Sequence, residues 1–240
     1  GTVLKLKECF YMLGFRSAPR TYGYDIVAFN LPREGRIEYA RWLHPREGAK
    51  TISQDSVDQL RRFLSPGDVA IDIGAHTGDS VIPIALALGT SGAVLALEPN
   101  PYVFSILQKN STLNRDKTRI IPLPFAATPK DGEYEFEYGD AGFCNGGLHD
   151  GISRWKHGLA FKLKVAGRDL AQYLAAEHPD LLPRIRYIKV DAEGFDLNVL
   201  MSLADLITRL RPFIRAEVYK WTTRPQRQRL IQFLAAAGYS

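Results

Sequence analysis

A glycine turn at Gly74–Asp79 has the residue types and spacing of a ligand-binding connection between a strand and a helix. The apolar run before it turns on Gly74 and Gly78, and a helical pattern follows. Glycine lets the backbone pass close to a ligand where any Cβ would intrude. The amides of Thr77, Gly78 and Asp79 open the helix, so they can receive a carboxylate or a phosphate. The spacing is G-x-x-x-G and not the G-x-G-x-x-G of dinucleotide-binding proteins, which argues against a bound pyrophosphate.

An acid at the end of the next predicted strand supplies a complementary signal. Glu98 ends "VLALE", about twenty residues after the glycine turn, where a carboxylate can accept both hydroxyls of a ribose. Glycine turns and terminal acids are each common in loops that bind nothing. Here the two follow consecutive strands in the order expected at the edge of an open parallel sheet, and together they predict nucleoside recognition without two phosphates.

Alternating strand and helix signals predict the sheet that positions these residues. The strands are "DVAIDIG", "AVLALEP", "RIIPLPFAA", "YIKVDAEG" and "FIRAEVY". After a first helix in "SQDSVDQLRRFL", further helices are predicted over Asp79–Leu88, Tyr102–Leu113, Asp196–Leu206 and Pro225–Ala237. Repeated units of this length predict the α/β class, a doubly wound, mostly parallel, Rossmann-like sheet with helices on both faces. Ligands of such sheets bind beyond the carboxyl ends of the strands.

Two segments do not follow this alternation of strands and helices, and they suggest how the chain is divided into domains. Residues 1–52 are irregular and aromatic-rich, which predicts an N-terminal cap of short strands or loops on a main domain over residues 53–240. Within that domain, residues 130–170 form an insertion. It contains a charged, hairpin-like stretch ("GEYEFEYGD"), a glycine-rich loop and the strand-like "AFKLKV".

The charge, the cysteine content and the apolar runs of the chain limit the classes of partner that we expect. The net charge is +5, but Lys and Arg are scattered along the chain, which favours a solvated surface over a nucleic-acid footprint. Cys9 and Cys144 alone cannot build a disulfide scaffold, so we expect a reducing compartment and a cytoplasmic location. There is no apolar run of bilayer length, and the first residues lack the pattern of a signal peptide, so we expect no membrane partner. No pattern indicates an oligomeric state.

Three motifs in order, "DIGAHTGD", "LALEPNP" with "LQKNSTLN", and "YIKVDAEGFDLNVL", carry a family resemblance. The sequence resembles FkbM-type methyltransferases, class I enzymes that use S-adenosylmethionine, over about Asp55–Ser240. The resemblance implies that the methionine half of the cofactor lies along the glycine turn, the ribose on Glu98 and the adenine after the third strand. The residues assigned to the cofactor are Asp72, Gly74, Ala75, His76, Thr77, Gly78, Asp79, Glu98, Pro99, Asn100, Ala126, Ala127 and Asp191.

Three acids at the same predicted edge are candidates for the transfer chemistry. Asp191, at the end of the fourth strand, could bind the cofactor's ammonium group, hold a metal or act as a base, and Glu193 could face the acceptor. Methylation of an alcohol needs a base or a metal to stabilise the developing alkoxide. Asp191 and Glu217 could together hold Mg²⁺. The alternatives are a helix cap for Asp191 and a salt bridge for Glu217.

Histidines in the insertion are further candidates for a general base. His149 and His157 lie in or next to its glycine-rich loop, and we expect the insertion to fold over the acceptor as a lid. We place His149 with Asp191 and Glu193 in the catalytic set, although a lone loop histidine is more often plain surface. His76, within the glycine turn, is expected to shape that turn.

The preferred interpretation is an S-adenosylmethionine-dependent O-methyltransferase. Its acceptor would be a small molecule or carbohydrate, with the methylated hydroxyl on a sugar, glycan or polyketide-like natural product. A nicotinamide-dependent oxidoreductase is an alternative, although the chain lacks G-x-G-x-x-G and a Tyr-x-x-x-Lys pair. A catalytically inactive nucleoside-binding domain is another. A nucleic-acid methyltransferase would need an Asn-Pro-Pro-Tyr-like tetrapeptide where "DAEG" stands, and a basic patch.

Overall fold

The structure is a computed structural model that describes residues 20–139, 144–145, 161–192, 196–216 and 224–239. The strands are β1 (Tyr24–Leu31), β2 (Gly35–Trp42), β3 (Val69–Ile73), β4 (Ala93–Leu97), β5 (Ile120–Leu123), β6 (Ala126–Ala127), β7 (Gly132–Gly139), β8 (Cys144–Asn145), β9 (Phe161–Arg168), β10 (Ile185–Val190) and β11 (Phe213–Ala216). The α-helices are α1 (Gln54–Leu60), α2 (Val81–Leu88), α3 (Pro101–Asn110), α4 (Leu170–Glu177), α5 (Asp196–Ser202), α6 (Ala204–Leu210) and α7 (Arg224–Ala236). A 3₁₀-helix covers Leu182–Arg184.

Five parallel strands form the central sheet, in the order β11-β10-β3-β4-β5. Every residue of β3 and β4 is buried, as expected for inner strands that helices cover on both sides. From β3 the chain adds β4 and β5 on one side, and later β10 and β11 on the other. The strand order therefore reverses beside β3, and the crevice at its carboxyl end is the expected ligand position.

The two faces of the sheet bury separate apolar cores. Val69 and Ile71 pack with residues of α4, α5 and α6 on one face. Ala70 and Ala96 pack with residues of α2 and α3 on the other. This alternation along buried strands confirms the predicted α/β, doubly wound sheet with helices on both faces.

Several predicted boundaries were wrong. The predicted helix Asp196–Leu206 is two helices, because Leu203 leaves the helical conformation at φ −102° and ψ 13°. The strand in "RIIPLPFAA" is also two, with β5 in the central sheet and β6 in another. The prolines explain why this segment is not one inner strand: β5 is an edge strand, where Pro122 is tolerated, and Pro124 offers no amide to extend the ladder. Helix α1 ends at Leu60, before "RRFL", and α3 ends at Asn110, short of the predicted Leu113.

The insertion contributes a second sheet, in the order β6-β9-β7-β8. "FKLKV" of the predicted strand "AFKLKV" begins β9, and the described part of "GEYEFEYGD" is the single strand β7, Gly132–Gly139, and not a hairpin of its own. Strand β7 runs antiparallel to β9, burying Phe136 and Tyr138 on one face and pairing Glu133 with Lys164 in a surface ion pair. His149 and His157 lie outside the described residues.

The segment predicted as a cap contains an antiparallel β1–β2 hairpin. Ile37 and Tyr39 pack against α1 and α2, and Trp42 packs against α3. Asn110 adds three hydrogen bonds, two to the backbone of Ala40 and one to the carbonyl of Thr77. Asn110 therefore connects the hairpin to the glycine turn through hydrogen bonds. The division of the chain at residue 52 stays a prediction.

Within the described part of the chain, no helix combines the length and the apolar character needed to cross a membrane.

Candidate active site

The glycine turn brings three strand ends together. The amides of Gly74 and Ala75 both donate to the carbonyl of Leu97, at 3.0 and 2.9 Å, which ties the end of β3 to the end of β4. Gly74 has φ +81°, and a Cβ there would lie 2.1 Å from the carbonyl oxygen of Asp191, just after β10. Only glycine fits this close approach.

The middle of the turn is left-handed as well. His76 adopts φ +48°, a conformation that costs a residue with a side chain about 1–2 kcal/mol. Its ring lies edge-on to Trp42 of the hairpin, 5.7 Å between ring centres. Gly78 has φ +94° and passes close to Leu107 of α3. The hairpin and α3 thus support a turn that would be strained by itself.

Glu98 is buried directly behind this turn. Its Oε2 accepts from the amide of His76 at 3.0 Å, and its Oε1 accepts from the amide of Asn100 at 2.8 Å. Burial raises the pKa of Glu98 to about 7, against the lowering effect of the two hydrogen bonds. Each carboxylate oxygen retains a lone pair, so the group can accept further hydrogen bonds from two neighbouring hydroxyls.

Tyr138 of the insertion lies near Glu98. The hydroxyl-bearing ring is fully buried, and burial together with the charge of Glu98 raises the pKa of Tyr138. Strand β7 of the insertion therefore lies within electrostatic range of Glu98. Whether the insertion acts as a lid over an acceptor stays a prediction.

A charged group lies beneath the glycine turn and joins β3 to β10. Lys189 donates to Oδ1 of Asp72 at 3.0 Å, and Ser80 donates to Oδ2 of the same carboxylate at 2.6 Å. Burial lowers the pKa of Lys189, but the charges of Asp72 and Asp191 outweigh it, and the net shift is upward. Asp72 is fully buried and held by protein partners. The structure places it under the turn, and a direct contact with the cofactor stays a prediction.

Asp191 lies at the rim of the crevice. Its amide donates to the carbonyl of Ile73, its side chain is 38% exposed, and Oδ2 lies 3.9 Å from Nζ of Lys189. Asp196, the first residue of α5, accepts a hydrogen bond from the amide of Ala192 at 2.9 Å. A role of Asp191 in the crevice stays a prediction, with a helix cap as its alternative.

The remaining predicted residues are placed as follows. Asn100 caps α3 by accepting from the amide of Tyr102, and Pro99 lies between it and Glu98. Ala126 and Ala127 are buried in β6, beyond the end of β5. Glu193, Glu217, His149 and His157 lie outside the described residues. Within the described ranges no group of three or more His, Cys, Asp or Glu side chains could hold a metal ion, so a magnesium site gains no support.

Four residues on the hairpin side of the crevice were missed by sequence reasoning. The hydroxyl of Tyr39 lies 2.7 Å from that of Thr77, and Lys50 donates to Oδ2 of Asp79 at 3.0 Å. Glu47 lies beside Lys50, and Asn110 binds the turn from α3. Asn110 belongs to the quoted motif "LQKNSTLN", and a buried asparagine on an apolar helix face is a usable signal. Nothing in the loop around Glu47 and Lys50 distinguishes it in the sequence.

Comparisons with known proteins identify the family of the chain. The methyltransferase FkbM domain matches residues 72–240, more than two thirds of the chain. A hexuronic acid methyltransferase of Haloferax volcanii, AglP, is 26% identical over 166 residues, 69% of this chain and 62% of that protein. The chain thus spans less than two thirds of that relative. A ribosomal protein L11 methyltransferase of Carboxydothermus hydrogenoformans is 33% identical over 67 residues, 27% of this chain and 21% of that protein.

Solved structures with partial similarity include two methyltransferases. A methyltransferase FkbM from Methylobacillus flagellatus has a TM-score of 0.46 and 14% identity, over 75% of this chain and 44% of that one. An S-adenosylmethionine-dependent O-methyltransferase from Thermotoga maritima has a TM-score of 0.42 and 15% identity, over 88% of this chain and 62% of that one. On the strength of the domain match, this chain belongs to the methyltransferase FkbM family.

Proposed function

We propose that this protein binds S-adenosylmethionine in the crevice at the ends of β3, β4 and β10 and transfers its methyl group to a hydroxyl of a sugar, glycan or polyketide-like natural product. The observation that carries the proposal is Glu98. It is a buried carboxylate, fixed by two backbone amides beside the glycine turn, in a chain whose family is that of methyltransferases.

The residues of the crevice fit the parts of this cofactor. Glu98 offers acceptor lone pairs to the two ribose hydroxyls. Gly74 lets the turn pass close to the backbone of Asp191, which brings the ends of β3 and β10 together. Ala126 and Ala127, in β6 beyond the end of β5, are the candidates to lie near the adenine. When bound, S-adenosylmethionine supplies an electrophilic methyl group on its sulfonium centre.

The chain's own part in the reaction is to position the acceptor and to remove its proton. Displacement at a methyl group depends mainly on alignment of the reacting atoms in a site that excludes water. Asp191, at the rim of the crevice, is the candidate to take the proton of the acceptor hydroxyl. Lys189 keeps the Asp191 side chain oriented through their ionic contact. Glu193, Glu217 and His149 remain proposals for the same surface.

The carbohydrate acceptor is supported by the relative in Haloferax volcanii, whose name identifies a hexuronic acid as its substrate. A hexuronic acid presents both ring hydroxyls and a carboxylate, and methylation gives an ether on the first and an ester on the second. A hydroxyl needs a base, whereas a carboxylate is already ionised at neutral pH. A cytoplasmic location without membrane or nucleic-acid partners is part of the proposal.

The first test is calorimetric titration with S-adenosylmethionine, S-adenosylhomocysteine and NAD. We expect micromolar binding of both adenosyl ligands, with a large loss in Glu98→Ala. Tight binding of NAD would favour the oxidoreductase alternative, and binding of no nucleoside would contradict the proposed site.

The second test measures transfer of a labelled methyl group to methyl glycosides of glucuronic and galacturonic acid and of the corresponding neutral sugars. We expect an alkali-stable ether, and a loss of turnover in Asp191→Asn with cofactor affinity retained. Release of labelled methanol by mild alkali would place the methyl group on a carboxylate and contradict the hydroxyl assignment. Binding without any turnover over a broad acceptor panel would favour the inactive nucleoside-binding domain.

A further inference from the structure

The buried environment of the Glu47 carboxylate indicates that this group binds a ligand. Only 2% of its side chain is exposed, although it lies in the loop after β2. Neither carboxylate oxygen accepts a hydrogen bond from a residue that the structure describes, and the nearby Lys50 Nζ lies 3.9 Å from Oε1. Buried polar groups are nearly always hydrogen-bonded, and a buried carboxylate that is not is costly. A partner from outside the described chain would remove this cost.

The loop that carries Glu47 sits on the glycine turn. Lys50 donates to Oδ2 of Asp79 at 3.0 Å, and the charge of Asp79 is close enough to Glu47 to raise its pKa, after the larger effect of burial. The hydroxyl of Tyr39 contacts Thr77. Burial raises the pKa of Tyr39, and the charge of Glu47 raises it further. Lys50 therefore joins Glu47 to the Thr77–Asp79 end of the turn.

This end of the turn is continuous with the Glu98 end. The amide of His76 binds Glu98, and the next residue along the chain, Thr77, contacts the hairpin. A nucleoside on Glu98 would extend the substituent at its 5′ position along this turn. In the proposed cofactor that substituent ends in an amino acid, which carries one ammonium and one carboxylate group.

We propose that Glu47 and Lys50 bind the amino-acid end of the cofactor, Glu47 accepting hydrogen bonds from the α-ammonium group and Lys50 donating to the α-carboxylate. This inference rests on the proposed function. Each charged group of the ligand meets a protein group of opposite sign, and the ammonium supplies the donors that the buried carboxylate of Glu47 requires. Glu47, Lys50 and Asp79 carry a net charge of −1 when ionised, which also favours the cationic sulfonium.

The test compares two ligands that differ by the amino-acid end. S-adenosylhomocysteine contains it, whereas 5′-methylthioadenosine keeps the adenosine and the thioether and ends in a methyl group. Glu47→Gln and Lys50→Met should each weaken S-adenosylhomocysteine roughly 10- to 100-fold, the loss expected for a hydrogen bond between charged groups. Binding of 5′-methylthioadenosine should change by less than about twofold.

Three further variants serve as controls for this comparison of the two ligands. Glu98→Gln should weaken both ligands, because both contain the ribose. Lys164→Met, at a lysine whose side chain is 71% exposed on the second sheet, should weaken neither. Lys50→Arg keeps the charge and should retain most of the affinity for S-adenosylhomocysteine. Equal losses for the two ligands in Glu47→Gln and Lys50→Met, or no loss for S-adenosylhomocysteine, would overturn the inference.

The unaltered protein gives an independent measurement that does not depend on a variant folding. S-adenosyl-3-thiopropylamine lacks only the α-carboxylate, and we expect it to bind more weakly than S-adenosylhomocysteine. Equal affinity would overturn the assignment of Lys50 while leaving the proposed function intact. Wild-type protein that binds neither S-adenosylhomocysteine nor 5′-methylthioadenosine would overturn the proposed function and the inference together.

Discussion

Nζ of Lys189 lies 3.0 Å from Oδ1 of Asp72, and this contact joins the ends of two neighbouring parallel strands. The two residues are partners in the β3–β10 ladder, so their side chains leave the same face of the sheet. Asp72 is fully buried, the Lys189 side chain is 14% exposed, and Oδ2 of Asp191 lies 3.9 Å from the same ammonium group. The base of the candidate site is thus a charged group held inside the protein.

Removal of Lys189 should be strongly destabilising. Lys189→Met leaves Asp72 buried without its cation, and loss of one partner of a buried ion pair costs about 3–5 kcal/mol of the free energy of unfolding. Urea unfolding measures this cost. Lys189→Met combined with Asp72→Asn should recover part of the loss, because no unpaired charge remains. Lys164→Met removes an exposed ion pair and should change stability little. If Lys189→Met changed the free energy of unfolding as little as Lys164→Met, the buried ion pair would make no contribution to stability.

Substitution of Gly74 should cost more than its backbone conformation alone explains. Gly35 and Gly74 both have positive φ, at +71° and +81°, but a Cβ at Gly35 meets nothing within 4 Å. Gly35→Ala should therefore cost about 1–2 kcal/mol, the strain of a left-handed alanine. Gly74→Ala adds a clash with the Asp191 carbonyl and should cost clearly more, measured by urea unfolding. Equal costs would contradict the close approach of the two strand ends.

Glu98 should make the stability of the ligand-free protein depend on pH. Its pKa is about 7 in the folded protein and near 4.5 as a free side chain, so the folded state binds the extra proton between these values. Wild-type stability should fall as the pH rises through this window, by up to about 1.4 kcal/mol per pH unit from this group. The stability of Glu98→Gln relative to wild type should therefore rise from pH 5 to pH 8. A difference that stays constant with pH would contradict the raised pKa.

Loss of Asn110 should loosen the hairpin from the glycine turn. Asn110→Ala removes three hydrogen bonds and leaves buried backbone groups of Ala40 and Thr77 without this partner, at a cost of about 2–4 kcal/mol. Amide hydrogen exchange in β2 should become faster than in the central sheet. Ser105→Ala, which removes an exposed hydroxyl bonded within α3, is the control and should leave β2 protection unchanged. Unchanged exchange in Asn110→Ala would show that apolar packing alone holds the hairpin.

The local features of the site were predictable from the sequence. A buried apolar run followed by glycines marks the end of β3, and an acid that ends the next such run marks Glu98. Both signals depend on a residue and its immediate neighbours, because the backbone angles of glycine and the alternation of strand and helix are local properties. The parallel α/β fold followed from the same alternation, since parallel strands need helical crossovers.

The partners of the charged side chains were decided by the tertiary structure. Asp72 and Lys189 are 117 residues apart, and they meet because the strand order reverses at β3 and places β10 next to it. The order of the strands along the chain does not show which strands are neighbours in the sheet. Glu47 and Lys50 lie in a loop of ordinary composition, and they reach the glycine turn because Asn110 and the apolar hairpin face dock β2 against α3. A residue type determines what a side chain can bind, whereas long-range packing determines what it meets.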